Sequence, residues 1–175
     1  MSESAMAEPE VVVRRARLEE AGLLSGLRWL WNVLEARTPV LPRPEFDGVF
    51  AEWMRAHAET HVPFLGFAGG DDAGEAVGEV VGEVVGEVVG MAWLALQPRV
   101  PDAAEPHRVG GDLQSVFVVP HLRGQGVGRK LVGAVAREAA RLGLVHLTVR
   151  TGPVPLGFYL RLGFTVNGEA LELIP

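Results

Sequence analysis

Residues 113–142 read LQSVFVVPHLRGQGVGRKLVGAVAREAARL, and the order of their parts predicts a strand, a tight turn and a helix. Leu113 to Val119 is apolar and rich in β-branched residues, as a buried strand is, and Pro120 closes it because proline has no N–H for a sheet ladder. From Gly128 to Leu142 the apolar residues recur at helical spacing, and Gly143 marks the stop. Between the two lie Gly124, Gly126 and Gly128, with Arg123, Arg129 and Lys130 around them. The first turn of a helix carries unpaired N–H groups and a partial positive charge, and glycines let an anion reach that backbone with no Cβ in the way. The junction therefore predicts a phosphate site, and its cations suit a doubly charged pyrophosphate.

Two other glycine-rich phosphate motifs fail on this stretch. A dinucleotide fingerprint counted from Gly124 requires glycine where Arg129 stands, and a P-loop requires glycine there and Ser or Thr at Leu131.

The flanking sequence supplies the rest of a mixed fold. Val11 to Arg15 predicts a strand, and Leu18, Leu23, Leu24, Leu27, Leu30, Val33 and Leu34 fall at helical spacing. Thr38 to Pro44 holds three prolines and reads as a loop, after which Phe46, Val49, Phe50, Trp53 and Met54 resume the helical period until about His57 to Thr60. Val62 to Ala68 predicts a strand, Gly69 to Gly74 a turn, and Val88 to Leu96 a longer strand returning antiparallel. Between that turn and that strand, Ala76 to Gly90 repeats Val-Gly-Glu with a period of four. Glycine at every fourth position weakens a helix and strand alternation gives no clean face, so the expectation is an expanded hairpin over 69–90 rather than a carboxylate metal site.

Pro98 to Gly111 reads as a loop long enough to border a substrate site. Val145 to Arg150 predicts a strand and Leu156 to Leu162 a short helix capped by Gly163. Phe164 to Val166 and Ala170 to Ile174 flank Asn167-Gly168, a hairpin turn signal. The fold class expected is α/β with an α+β flavour: a mixed, mostly antiparallel central sheet flanked by helices, in one domain over 11–175 behind a disordered tail over 1–10.

Composition narrows the chemistry. The formal net charge of −6 argues against a nucleic-acid-binding module, whose footprint is basic. The absence of cysteine excludes disulfides, thiolate metal sites and a cysteinyl acyl intermediate. The small, acidic residues Met1 to Glu10 do not resemble a secretory signal, and no run approaches the ~20 apolar residues needed to cross a bilayer, so no membrane is expected as partner and the cytoplasm is the expected location.

The stretch Arg123 to Gly128 resembles the coenzyme-A-binding motif of the GNAT N-acetyltransferase superfamily, in which Arg or Gln, two variable residues, Gly, one variable residue, and Gly or Ala follow a strand; Arg123, Gly126 and Gly128 match it. A second element, Gly157 to Phe164, is similar to the family's Phe-Tyr-x-x-Leu-Gly-Phe. The resemblance covers most of the chain and implies the GNAT fold, acetyl-CoA as co-substrate, no metal, and an amine acceptor. It implies that backbone groups at Phe117, Val118 and Val119 pair with the pantetheine arm and that amides from Arg123 through Gly124, Gln125, Gly126, Val127 and Gly128 to Arg129 hold the pyrophosphate. It places Tyr159 near the coenzyme sulfur, and a homodimer would be ordinary for the family. Where the family often has Asn before this last helix and Ala within it, Gly152, Pro153, Val154 and Pro155 stand here, which opens the question of where the helix starts.

A phenol, with an ordinary pKa of about 10, is protonated at neutral pH and can donate to a departing thiolate, so Tyr159 is the candidate general acid; the alternative is a core tyrosine of an amphipathic helix. The amide of Val118 is a candidate donor to the developing oxyanion. Asp112, Gln114 and Glu52 are conceivable near the acceptor, with no base assigned. Trp29, Trp31 and Trp53 lie on the early helices, which in the family often edge the acceptor pocket, though core packing is expected of them; Glu35, Arg37 and Glu45 could set acceptor charge preference but read as a solvated loop. His57, Glu59 and His61 superficially resemble a zinc helix, but the glutamate is misplaced. The function expected is direct transfer of acetyl from acetyl-CoA to an amine in a ternary complex; the alternative is an acyl-CoA-binding sensor with little turnover.

Overall fold

The computed structural model describes residues 10–69 and 86–168. Most of the Val-Gly-Glu repeat, the tail before Glu10 and the Ala170 to Ile174 arm of the expected C-terminal hairpin lie outside the described residues. Within them, five strands form one sheet in the order β1 (Val11–Arg15), β2 (His61–Ala68), β3 (Glu87–Pro98), β4 (Val109–Val118) and β5 (Leu147–Val149). β1 to β4 pair antiparallel in sequence order, while β5 pairs parallel to β4, which the long helical connection between them allows and a hairpin would not.

The helices are α1 (Ala21–Leu34) and α2 (Arg43–Ala56) between β1 and β2, α3 (Val127–Arg141) between β4 and β5, and α4 (Pro153–Arg161). α3 buries Val127, Leu131, Val132, Ala134, Val135 and Ala139, a stripe that one face of a helix makes when apolar residues recur every three or four positions. Leu131 packs beside Gly66 and Gly90, while Trp31 of α1 and Phe50 of α2 meet Phe117 and Trp93. Successive strand residues face opposite ways, so α3 covers one side of the sheet and the α1–α2 pair the other. The core lies in both layers, with Leu24, Leu65, Met91, Leu94 and Leu131 among its fully enclosed side chains.

The expected architecture is present, with local differences. The Pro98–Gly111 loop is shorter than expected, because β4 starts at Val109 and takes Gly110 and Gly111 into the ladder opposite Gln97 and Leu96. β5 is confined to Leu147–Val149, and no strand is assigned to Phe164–Val166. The proline-rich start of α4 does not break it: proline at the first helical position has no N–H that a helix would use, and its fixed φ suits the turn.

Two irregularities in β4 position the site. Met91 pairs with Phe117 and Trp93 with Gln114, so Ser115 and Val116 together oppose Ala92, and Ser115 takes a left-handed φ of 50°. This is a β-bulge, which bends the strand and increases its twist. On the other edge, β4 and β5 pair only over Gly111↔Leu147, Asp112↔Thr148 and Leu113↔Val149. Past Leu113 the two strands part, and the β4 edge from Gln114 onward faces a gap rather than a neighbouring strand.

Candidate active site

The gap opens into a cleft of about 300 Å³ lined by Trp31, Val116, Phe117, Val118, Arg123, Gly128, Pro155, Phe158 and Tyr159. Backbone direction along β4 follows from one bond. Val119 N–H donates to Val89 O at 2.9 Å, which makes that pair the hydrogen-bonded one, and alternation then turns the N–H and C=O of Val118 away from β3. The Val118 carbonyl accepts from Arg123 Nε at 2.9 Å, as that direction requires. The Val118 N–H points the same way, toward the gap.

This narrows the sequence expectation for the strand. Phe117 directs its backbone groups at β3 and its side chain, 3% exposed, at α1. Val119 is committed through its N–H to Val89 and through its carbonyl to Leu122 N–H at 3.1 Å. Among the three residues 117–119, Val118 is the one whose polar backbone faces the cleft.

The turn that follows is built by short-range bonds. A single 3₁₀ turn over Pro120–Leu122 takes the Arg123 N–H onto Pro120 O at 3.2 Å, so the amide of Arg123 is occupied within the turn rather than aimed at a ligand. Gln125 Nε2 donates to His121 O at 2.9 Å and folds its side chain back over the same turn. Gly124 and Gly126 have φ of 77° and 83°, a left-handed geometry that a Cβ would strain. Gly126 is the N-cap of α3 and no side chain caps the helix there. The first helical hydrogen bond is Lys130 N–H to Gly126 O at 3.1 Å, so the amides of Val127 and Gly128 precede the ladder, with Arg129 in the same turn. A Cβ on Gly128 would stand 3.4 Å from Phe158 Cζ, in the space between α3 and α4 that the cleft occupies. An uncapped helix start, reached through glycine and facing an open strand edge, fits a long molecule with a diphosphate at one end.

Tyr159 is held from two sides. α4 ends with Gly163 at φ 90°, Gly163 N–H bonds Leu160 O at 3.1 Å, and Phe164 N–H reaches Tyr159 O at 3.1 Å, a Schellman closure. The side chains that this closure brings together are Tyr159 and Phe164, edge to face at 5.6 Å, while Phe158 packs on Tyr159 at 5.0 Å. The phenol is 8% exposed, and burial pushes its pKa above the usual tyrosine value because the phenolate is poorly solvated there.

Other candidates are placed apart or differently. Asp112 accepts Gln114 Nε2 at 2.8 Å and Thr148 Oγ1 at 3.2 Å, at the point where β4 and β5 begin to part, and neither Asp112 nor Gln114 lines the cleft. Glu52 is exposed on α2. Trp53 stacks on His57 at 4.5 Å and meets His61 at 4.8 Å, and among the described residues no group of three or more metal-ligating side chains converges. Trp29 packs against Phe46, and Trp31 packs on the core as expected, stacking on Phe117 at 5.6 Å, while it also forms a cleft wall. Val116, Pro155 and Phe158 are cleft residues that the sequence reading did not single out. Phe158 was legible in principle, since it precedes Tyr159 in the second motif; Val116 depended on the bulge.

Residues 73–166 match a family model described as the acetyltransferase (GNAT) domain. Among solved structures, the chain is similar to a "predicted acetyltransferase with acetyl-CoA" from Clostridium acetobutylicum, at 16% identity and a TM-score of 0.70 over 94% of this chain and 96% of that one. It is similar to an aminoglycoside N-acetyltransferase in complex with CoA, at 19% identity and a TM-score of 0.65 over 95% of each chain. It is also similar to glucosamine-6-phosphate N-acetyltransferase from Arabidopsis thaliana, at 14% identity and a TM-score of 0.64 over 94% and 98%. These three likenesses are likenesses of fold. Among the described residues, no helix is long and apolar enough to cross a membrane.

Proposed function

We propose, since this chain belongs to the GNAT acetyltransferase family, that it moves the acetyl group of acetyl-CoA directly to an amine held in the same cleft. The observation that carries the reading is the convergence of the outward N–H of Val118, the uncapped start of α3 and the Tyr159 phenol on one opening. Bound acetyl-CoA would supply a thioester, an acyl group activated for attack.

The chain's own residues divide the remaining work. The amides of Gly124 to Gly128, with Arg129 in the same turn, hold the diphosphate, since helix-start donors favour an anion. The Arg123 guanidinium, tied to Val118 O, helps hold Val118 with its polar backbone outward, so that the Val118 N–H, on the preceding peptide, meets the acetyl carbonyl oxygen, where negative charge grows as the amine attacks. The new C–N bond replaces the C–S bond. Tyr159 donates its proton to the departing sulfur, the amine releases one to solvent, and the phenolate takes a proton back from solvent before the next turnover. A phenol whose pKa is raised by burial stays in the donating form throughout the neutral range.

Calorimetry with acetyl-CoA, followed by thiol release across amino acids, polyamines, aminoglycosides and peptide N-termini, tests the proposal. Saturable uptake and acceptor-dependent thiol release are expected. No uptake at millimolar acetyl-CoA by folded protein would remove the reading; uptake without release from any acceptor would leave a coenzyme-binding protein in place of an enzyme.

A further inference from the structure

The class of acceptor follows from the charges around Trp31, provided that the acetyl-transfer reading of the cleft holds. Trp31 and Phe117 stack at 5.6 Å and 20°, and each ring carries an arginine: Arg123 lies 5.6 Å from the Phe117 centroid and Arg28 lies 4.7 Å from that of Trp31. The Arg123 end joins the turn that faces the diphosphate. The Arg28 end lies near one carboxylate, Glu35.

Arg28 is half-buried and makes no ion pair among the described residues. The charges that act on it are those of Arg37 and Glu35. Glu35 is already engaged, because one carboxylate oxygen accepts the Trp31 indole N–H and the other pairs with Arg37 at 2.7 Å. The cluster of two arginines and one glutamate therefore keeps a net positive charge; it adjoins the Trp31 wall without itself lining the cleft, and among the described residues no Asp or Glu lines the cleft to offset it. Burial and the neighbouring Arg37 both disfavour the charged form of Arg28, a penalty that an arriving anion relieves. A guanidinium laid on an aromatic face keeps its in-plane fork of donors for a planar oxyanion, the geometry of a carboxylate.

We propose that the acceptor amine carries a carboxylate in the same molecule, as amino acids do, and that Arg28 receives it beside the Trp31 wall. An acceptor with positive charge alone, such as a polyamine, meets the net positive charge that Arg28 and Arg37 leave beside the single Glu35.

The test compares matched acceptors by thiol release: free amino acids, the same amino acids as carboxamides, and polyamines. The free acids are expected to show kcat/KM higher by about tenfold or more, the size of a lost charge-assisted hydrogen bond. Arg28→Gln is expected to raise KM for the free acids and abolish that preference, Arg28→Lys to restore part of it, and the acetyl-CoA KM serves as the control for intact coenzyme binding. Carboxamides or polyamines turned over as well as the free acids by the wild-type protein would overturn this inference while leaving acetyl transfer standing. Acetyl-CoA uptake with no thiol release from any acceptor would overturn the transfer reading and this inference with it.

Discussion

Tyr159 shows how one side chain acquires a role from its surroundings. Its place in the second motif was legible, but its low exposure, its contacts with Phe158 and Phe164 and its position in the cleft come from packing. Tyr159→Phe keeps the ring and removes the proton, so kcat is expected to fall by about a hundredfold with acetyl-CoA affinity nearly intact. Steady-state kinetics beside calorimetry checks this, and an undiminished kcat would remove the acid role. A second titrating group bears on folding. Glu20 is buried, accepts Arg14 Nη1 at 2.8 Å and the Arg17 N–H at 2.8 Å, and the Arg14 bond holds its pKa below the usual carboxylate value. A carboxyl with a depressed folded-state pKa contributes stability that is present above its unfolded pKa and lost as pH falls through the folded one. Urea midpoints are therefore expected to drop on acidification below the ordinary glutamate range, and in Glu20→Gln that part of the drop should vanish; an identical acid profile in the variant would exclude this pair as its source.

The strand–turn–helix unit from β4 to α3 could be read from sequence because its geometry depends on neighbours in the chain: consecutive amides at a helix start, with glycine where φ turns positive. Gly126→Ala would force an L-residue into φ 83°, at a cost of roughly 1–2 kcal/mol. Lower thermal stability and weaker acetyl-CoA binding together are expected in thermal shift measurements with and without ligand; a variant as stable as wild type would show that the turn relaxes freely. The same glycine signal misled at the start of β4. Gly110 and Gly111 look like turn residues locally, yet they are strand positions crowded by later chain: a Cβ would stand 2.6 Å from His146 Nε2 at the first and 2.8 Å from Leu144 Cδ1 at the second. Glycine there answers to close packing, which periodicity does not register.

Across the molecule, α3 lies against β1 to β4 through a side chain with no exposure, Leu131. Leu131→Ala is expected to destabilise the fold by about 2–5 kcal/mol, through lost burial and the cavity left behind. Chemical denaturation measures this, and a loss well below that range would mean that the helix settles into the space. Because α3 also supplies the helix start at the cleft, acetyl-CoA binding should weaken in the same variant. The chain alone determined the order of strands and helices, the glycine-rich turn into α3 and the motif holding Tyr159, because each is encoded within a few neighbouring residues by periodicity, backbone freedom or a missing N–H. The parting of β4 from β5, the outward direction of the Val118 N–H and C=O and the meeting of Trp31, Phe117 and Tyr159 across one cleft were decided by folding. They depend on register and packing between segments far apart in the chain, and no local pattern specifies which distant surface a residue will meet.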